Sequence, residues 1–530
     1  MGAGASRSGE AGRPQVAWQC LTPSLLAGGL VAAGLAVRVA IAWQPLSVLV
    51  PKVLSDDAFY YVKIAEHMAQ GLGPTFDGKH LTNGFHPLWA LFLSGLALAQ
   101  GEGRVPIPWA LSVSALLDAG TGFLIYLVAR RTLGGTGPAL LSAGAYLLHP
   151  LAVLEGVNGL ETALATLAFA GLFAYFVLVL RPRPTWAAYA GFGFLSACMV
   201  LARTDYVFLT VVLGLERLAR ERGRAVPKLA LAGLVFLLGL APWLVWSQVA
   251  VGTLVQTSGL AVPHVIRVYL FNLSGLTGVL RWLGPVLYLS SALAQGIVRY
   301  GGAQGLVLIL LLLLWTVGRR SRAVPDPRPV GAGALFLPLL ASALHLGFHA
   351  YGRWFLRGWY YAPWMVGMAW AVGWVASHAE WPPLPPRRWI WGGLAAVFLA
   401  AAVGQGVRTW DRGLWPWQER VVRASLWTKE NLPPGTRLGA FNAGIPGYFS
   451  GFAVVNLDGV VNGEAFAAVQ ERRILAYLEE AGVTHLLDWR STVEGDYRPF
   501  FEEGYLAHLR PLQTFADPYH GEVVLYQVEP

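Results

Sequence analysis

The sequence predicts a polytopic α-helical membrane protein that ends in a small α/β domain. Three observations carry that prediction. The chain is 55% hydrophobic and only 13% charged, with a mean hydropathy of +0.50, whereas a soluble chain carries about a quarter charged residues. Apolar runs follow one another, many of them long enough to cross a hydrocarbon core of about 30 Å. From Trp410 onward the charge density becomes ordinary and helical and strand patterns alternate.

Residues 1–21 are Gly/Ala/Arg-rich and are expected to be disordered on the cytoplasmic side. Arg7 and Arg13 precede the first apolar helix, about 22–45, and place it with its N-terminus inside. That run is too long for a signal-peptide core and reads as a retained helix. Further spans are expected near 107–129, 136–153, 160–180, 185–201, 204–218, 227–248, 302–318, 331–350, 360–378 and 389–408. Arg130-Arg131, Arg181 and Arg183, Arg217 to Arg224, Arg319 to Arg328, and Arg387-Arg388 then all fall on one side. The count is about eleven helices within residues 22–409, with the N-terminus cytoplasmic and the C-terminal domain, 410–530, extracytoplasmic. Pro87 to Gln100 is too short to span and is read as interfacial or half-buried. Residues 249–301 are read as a long outer loop. The net charge of +9 sits mostly in short loops, where it sets orientation, so nucleic acid is not the expected partner.

In the tail, Gln418–Asn431 reads as an amphipathic helix closed by Pro433-Pro434-Gly435. Strands are expected at 437–441, 453–458, 484–489 and 522–528, with a helix at 474–481 closed by Gly482. Cys20 and Cys198 both lie in or beside apolar runs, which argues against a disulfide framework or a zinc site. No His/Cys spacing for zinc, no phosphate-binding Gly-rich loop and no nucleophile elbow is apparent.

The chemistry gathers in the first outer loop, residues 46–106. Asp56 and Asp57 open a helix whose Ala58, Tyr61, Val62, Ala65, Met68 and Ala69 share one face, opposite Lys63, Glu66, His67 and Gln70. That pattern reads as a helix lying in the interface plane. One of the two carboxylates, or Ser55, is sufficient as a cap. Two adjacent carboxylates at the mouth of a membrane bundle suit a base that deprotonates an acceptor hydroxyl attacking a sugar carbon. Expelling a phosphate then requires positive charge or a metal. The outer-face candidates are Lys63, His80, His86, Arg203, Arg353 and Arg357. Arg203 and Asp205, in LARTDYV, fit equally well as a pair that satisfies itself. Arg353 and Arg357 stand among Trp354, Trp359, Tyr360 and Tyr361, either as an aromatic belt with snorkelling arginines or as a phosphate clamp beside an aromatic wall. Glu155 and Glu161 open the 160–180 span, as helix-end partners or as a second acidic shell able to bind Mg or Mn.

The segments DDAFYYVKIAEHMAQGLGPTFDG, TNGFHPLW, NGLETAL, GAFNAGIPGYFS and VVNLDGVVN resemble the C-type membrane glycosyltransferases, which include protein O-mannosyltransferases, aminoarabinose transferases and mycobacterial arabinofuranosyltransferases. The resemblance implies inverting transfer of one sugar from a polyprenyl-phosphate donor to a glycan, lipid or protein acceptor, at the outer face of the cytoplasmic membrane. It also implies that the first acid of the pair, Asp56, is the general base. Asp57 stands where that pattern usually has Glu, and there is no WWDYG-type motif, which disfavours transfer of a whole oligosaccharide. Arg353, Arg357, Arg203, Lys63 and His86 are the expected phosphate-binding residues, and Glu155, Glu161, Asp205, Tyr360 and Tyr361 the acceptor or supporting ones. Gly444, Tyr448, Asn456 and Asp458 either line such a site from the tail's side, for acceptor or glycan contact, or stand at turns and strand ends; both readings fit equally. Alternatives from other classes are a transporter or flippase for a lipid-linked substrate, against which the lack of an internal repeat speaks, and a non-catalytic envelope-assembly subunit.

Overall fold

A computed structural model describes residues 15–274, 279–302, 305, 332–352, 356–378 and 387–529. Arg353, Trp354 and the expected 302–318 span therefore lie essentially outside the described residues. Five helical stretches among those described are long and apolar enough to cross a membrane: Ser24–Ala42, Ile107–Leu133, Thr162–Leu180, Thr204–Ala250 and Gly333–Tyr351. The expected count of eleven is not reproduced by this measure. Thr204–Ala250 doubles back at Arg222, whose φ is 53°. A Cβ on Gly214 would lie 3.8 Å from the Leu229 side chain, so the stretch is a hairpin of two helices. Trp186–Ala202 and Pro87–Ala99 are shorter apolar helices. Leu116, Phe123, Leu234, Leu237 and Leu238 stand exposed on the outside of the bundle, as lipid-facing residues must. The chain is a multi-pass membrane protein.

The bundle is not free of internal charge. Arg38 and Asp118, in two different spans, are both buried and meet at 2.6 Å. Arg38 also donates to the carbonyls of Gly34 (3.0 Å) and Leu147 (2.9 Å), while Tyr146 donates to Asp118 at 2.5 Å. Desolvating two charges is compensated only by this density of hydrogen bonds.

Residues 249–301 are not a loop. They hold the helices Thr257–Ser274 and Val279–Val298. Pro263 inside the first and the scattered polar residues of both break the continuous apolar signal that marks a span. Asn83 of the 46–106 loop anchors this region, donating to the Thr253 and Val255 carbonyls at 3.1 and 3.3 Å and accepting from Thr257 N–H at 3.1 Å.

The tail is an α/β domain with a five-stranded sheet: β1 Arg437–Ala440, β2 Ala453–Asn456, β3 His485–Trp489, β4 Leu509–Ala516 and β5 Glu522–Val528. The strand order is β2-β1-β3-β5-β4, parallel across β2-β1-β3 and antiparallel across β3-β5-β4. The helices Gln418–Asn431 and Ile474–Glu480 match expectation to within a residue. β4 was not legible because it carries Pro511. Proline is tolerated there because β4 is an edge strand and its register with β5 shifts between Pro511 and Gln513.

The Asp56–Ala69 helix does not lie at a lipid interface with one wet face. Phe59, Tyr60 and Ile64 are buried along with Ala58, Tyr61, Val62 and Ala65 of the expected apolar face. The Pro87–Ala99 helix packs on one side of it and the tail's Gly444–Phe449 helix on the other, so both faces are covered by protein. Phe59 packs against Tyr448 in a tilted pair and edge-on against Phe449, at ring separations of 5.0 and 5.5 Å.

Candidate active site

The 46–106 loop and the tail form one seam. Ser55 precedes the helix in extended conformation, so Asp56 and Asp57 occupy its first turn. Gly444 N–H and Ile445 N–H donate to the two oxygens of Asp56 at 3.1 and 2.6 Å. Gly444 has to be glycine here. A Cβ at that position would run into the Asp56 backbone and come within 3.0 Å of its carboxyl carbon. Next to it Tyr60 accepts from Ala443 N–H (2.9 Å) and from Asn456 (3.2 Å), and donates to the Phe441 carbonyl (3.2 Å). Asp488, at the end of β3, accepts from the N–H groups of Phe441 and Asn442 at 2.7 and 2.9 Å. The GAFNAG segment is thereby clamped between the loop and the sheet.

A cavity of about 120 Å³ opens at this seam, lined by Asp56, Asp57, Arg357, four tryptophans (Trp359, Trp415, Trp417, Trp489) and Asn442. Trp415 lies 5.9 Å from Trp359 and 5.6 Å from Trp417, and Arg357 stands 5.7 Å over the Trp415 ring. Asp57 is open to the cavity and Asp56 is half-buried. Burial pushes Asp56 up to about 7, against the pull of the Ile445 and Gly444 N–H groups and with the help of the charge on Asp57. Burial also raises Asp57, while Arg357 and Arg203 lower it and Glu161 raises it. The two carboxylates thus face different neighbours. Asp56 is turned to the amides of the tail and Asp57 to the arginines of the bundle.

Arg203 is buried and holds Glu161 at 2.5 Å and Asp205 at 2.8 Å, with its guanidinium 4.9 Å over Tyr360. His86 lies 3.6 Å from Glu161, and its Nδ1 is 3.2 Å from the Gln256 amide. Burial lowers the His86 pKa, partly offset by Glu161. The ring is therefore neutral at physiological pH and offers a hydrogen bond rather than a charge.

Of the expected phosphate-binding residues, Arg203, Arg357 and His86 are brought to the bundle side of Asp57. Lys63 is not: it points away and pairs with Glu66 at 3.7 Å, one turn further along its helix. His80 is held by Asp77 of its own loop (2.7 Å) and by Glu464 of the tail (3.1 Å), as part of the framework that joins the two. Tyr361 is turned out of the site, stacked on Tyr300 at 4.0 Å and donating to the Ala292 carbonyl. Glu155 accepts from Asn158 at 2.9 Å and is pushed up to about 7 by burial. With Glu155 held there and Glu161 neutralised by Arg203, the two do not join Asp56 and Asp57 in a cation-binding shell. Among the described residues the only group with three converging metal-ligand atoms is Asp205, His345 and His349. The sequence does carry a signal for it: His345 and His349 are four apart in LHLGFHAY, on one face of a helix.

In the tail, Tyr448 packs on Phe59 and Asn456 holds Tyr60, so both serve the seam. Asp458 accepts from Val460 N–H at 2.8 Å and is pushed up to about 7 by burial, with Asp57 and Asp488 adding to the rise.

Residues 86–246 match the model of the dolichyl-phosphate-mannose-protein mannosyltransferase family, and residues 412–526 match a domain of unknown function, DUF8728. No curated protein matches the chain significantly in sequence. ArnT from Cupriavidus metallidurans bound to undecaprenyl phosphate is similar in structure, with a TM-score of 0.59 at 13% identity over 94% of this chain and 98% of that one. The apo form of the same protein gives 0.56 at 13% identity, over 94% and 98% of the two chains. The Archaeoglobus fulgidus oligosaccharyltransferase in complex with Zn and sulfate gives 0.53 at 13% identity, over 94% of this chain and 72% of that one.

Proposed function

We propose that this chain, which has the fold of the C-type membrane glycosyltransferases, transfers one sugar from a polyprenyl-phosphate donor to an extracytoplasmic hydroxyl, with inversion and with Asp56 as general base. The observation that carries the proposal is the cavity in which an acidic pair, an arginine and a wall of tryptophans meet at the seam between bundle and tail.

Inversion requires the attacking oxygen and the leaving phosphate on opposite sides of the anomeric carbon. The two guanidinium groups and the neutral His86 ring lie on the Asp57 side, so the donor phosphate sits toward Arg357 and Arg203, with His86 as a hydrogen-bond partner. Asp56, on the side of the tail, is then the carboxylate placed for the acceptor. Its pKa of about 7 matches a base working near neutral pH. The acceptor O–H gives its proton to Asp56 as the oxygen bonds to the anomeric carbon. The bond from that carbon to the phosphate oxygen breaks, and its electron pair leaves with polyprenyl phosphate. Arg357 and Arg203 stabilise the charge that grows on the leaving phosphate. Asp57 moderates those arginines so that phosphate binding stays reversible. The tryptophans offer flat apolar faces to a sugar ring. In this reading the membrane is the cytoplasmic membrane, with the N-terminus inside and the tail outside.

The relatives with solved structures support a lipid-phosphate donor. One of them was crystallised with undecaprenyl phosphate. The test is incubation of the purified chain with a panel of radiolabelled polyprenyl-phosphate monosaccharides and membranes as acceptor source. Transfer from one donor supports the reading and names the sugar. Consumption of none of them, by protein that is folded and monodisperse, rejects it.

A further inference from the structure

We propose that Asp205, His345 and His349 form a binding site for one divalent transition-metal ion of the zinc class, set against Arg203 and separate from the acidic pair. His345 and His349 lie four residues apart on the Leu337–Tyr351 helix and are 2% and 3% exposed. Their Nε2 atoms face each other at 3.2 Å, and each points at the same oxygen of Asp205, at 3.1 and 2.9 Å. Two imidazoles four apart on a helix with a carboxylate from another element is a donor set that zinc accepts, leaving a fourth position for water. Two nitrogen ligands out of three make Mg or Ca a poor occupant.

The spacing fits an ion. Tetrahedral zinc, with bonds of about 2.0–2.1 Å, holds its ligand atoms roughly 3.3–3.4 Å apart. The three observed separations fall a few tenths of an ångström short of this, within reach of small side-chain rotations. The surroundings favour positive charge as well. Glu161 and Asp205 set two carboxylates against the single guanidinium of Arg203, which leaves buried negative charge in excess. Arg203 hydrogen-bonds the ligating carboxylate, as groups just outside a metal's ligands commonly do. The ion fastens the Thr204–Tyr206 turn to the Leu337–Tyr351 helix and so fixes Arg203 against Glu161. It is a positioning element and does not touch the cavity.

The test uses the full chain, purified without a metal-binding tag, stripped of metal and dialysed against zinc alone. One zinc per chain is expected for the wild type, and less than about a tenth for His345→Ala and for the gentler His349→Gln. His80→Ala should keep a full equivalent. Cobalt substitution of the wild type should give the visible absorption of a four-coordinate ion, a readout that needs no variant. Absence of stoichiometric zinc and of the cobalt bands in the wild type overturns the proposal. So does full zinc retention by both histidine variants.

Discussion

Replacing Asp56 with asparagine is expected to make the protein more stable at alkaline pH while removing its activity. A carboxyl ionises near 3.9 in an unfolded chain and at about 7 in this position. Each tenfold change in proton affinity is worth about 1.4 kcal/mol. Keeping Asp56 ionised in the folded chain therefore costs on the order of 4 kcal/mol, and roughly half that once access of solvent to the cavity is allowed for. The sign follows from proton binding. The folded chain holds this proton more tightly than the unfolded chain, so stability is greatest below about pH 4 and is lost as pH rises through about 7. Asparagine is neutral throughout and escapes that loss. It keeps one acceptor oxygen for the Gly444 and Ile445 N–H groups, which forfeits a hydrogen bond worth about 1 kcal/mol. The variant should therefore melt at or slightly below the wild type at pH 5, and above it at pH 8 by an amount corresponding to about 1 kcal/mol. The assay is thermal unfolding of detergent-purified protein at half-unit pH steps from 5 to 8.5. A melting difference that stays constant across that range refutes the reasoning, because it would mean that Asp56 ionises in the folded chain as it does in the unfolded one.

Three other outcomes are expected. Arg38→Met alone should destabilise the bundle by about 3–5 kcal/mol by leaving Asp118 buried and uncompensated, whereas Arg38→Met with Asp118→Leu should return close to wild-type stability, as read by melting in detergent. Arg357→Ala should raise the donor KM by about 10- to 100-fold, the loss of a charge-assisted hydrogen bond, and Arg357→Lys should recover only part of it, as donor titrations would show. Gly444→Val should push the tail off Asp56, lowering both the melting temperature and the transfer rate.

Much of the membrane part was legible because a span is a local property. Twenty apolar residues declare themselves, and the limits at 107, 162 and 186 fall within two residues of expectation. The Asp56–Asp57 pair was legible for a related reason, since charge is conspicuous in a chain this apolar. What escaped was set by contacts distant in sequence. The Asp56–Ala69 helix looks amphipathic, but a segment nearly 400 residues later covers its other face. Lys63 and Tyr361 carry the right chemistry on the wrong face of their elements, and periodicity alone does not say which face meets the site. Arg38 and Asp118 are single charges in long apolar runs, and only the packed bundle shows that they are partners. The two histidines of the Leu337–Tyr351 helix were passed over, because an i, i+4 pair acquires meaning only when Asp205, 140 residues earlier, supplies the third ligand atom.

The account stands most directly on a side-by-side transfer assay of wild type, Asp56→Asn and Asp57→Asn with the donor that the wild type consumes. Asp56→Asn should lose about a thousandfold or more in kcat with little change in donor KM, since it removes the base and leaves the phosphate side intact. Asp57→Asn should retain measurable turnover and shift the donor KM instead. Equal turnover by Asp56→Asn and wild type, or loss of kcat confined to Asp57→Asn, would contradict the assignment of the base.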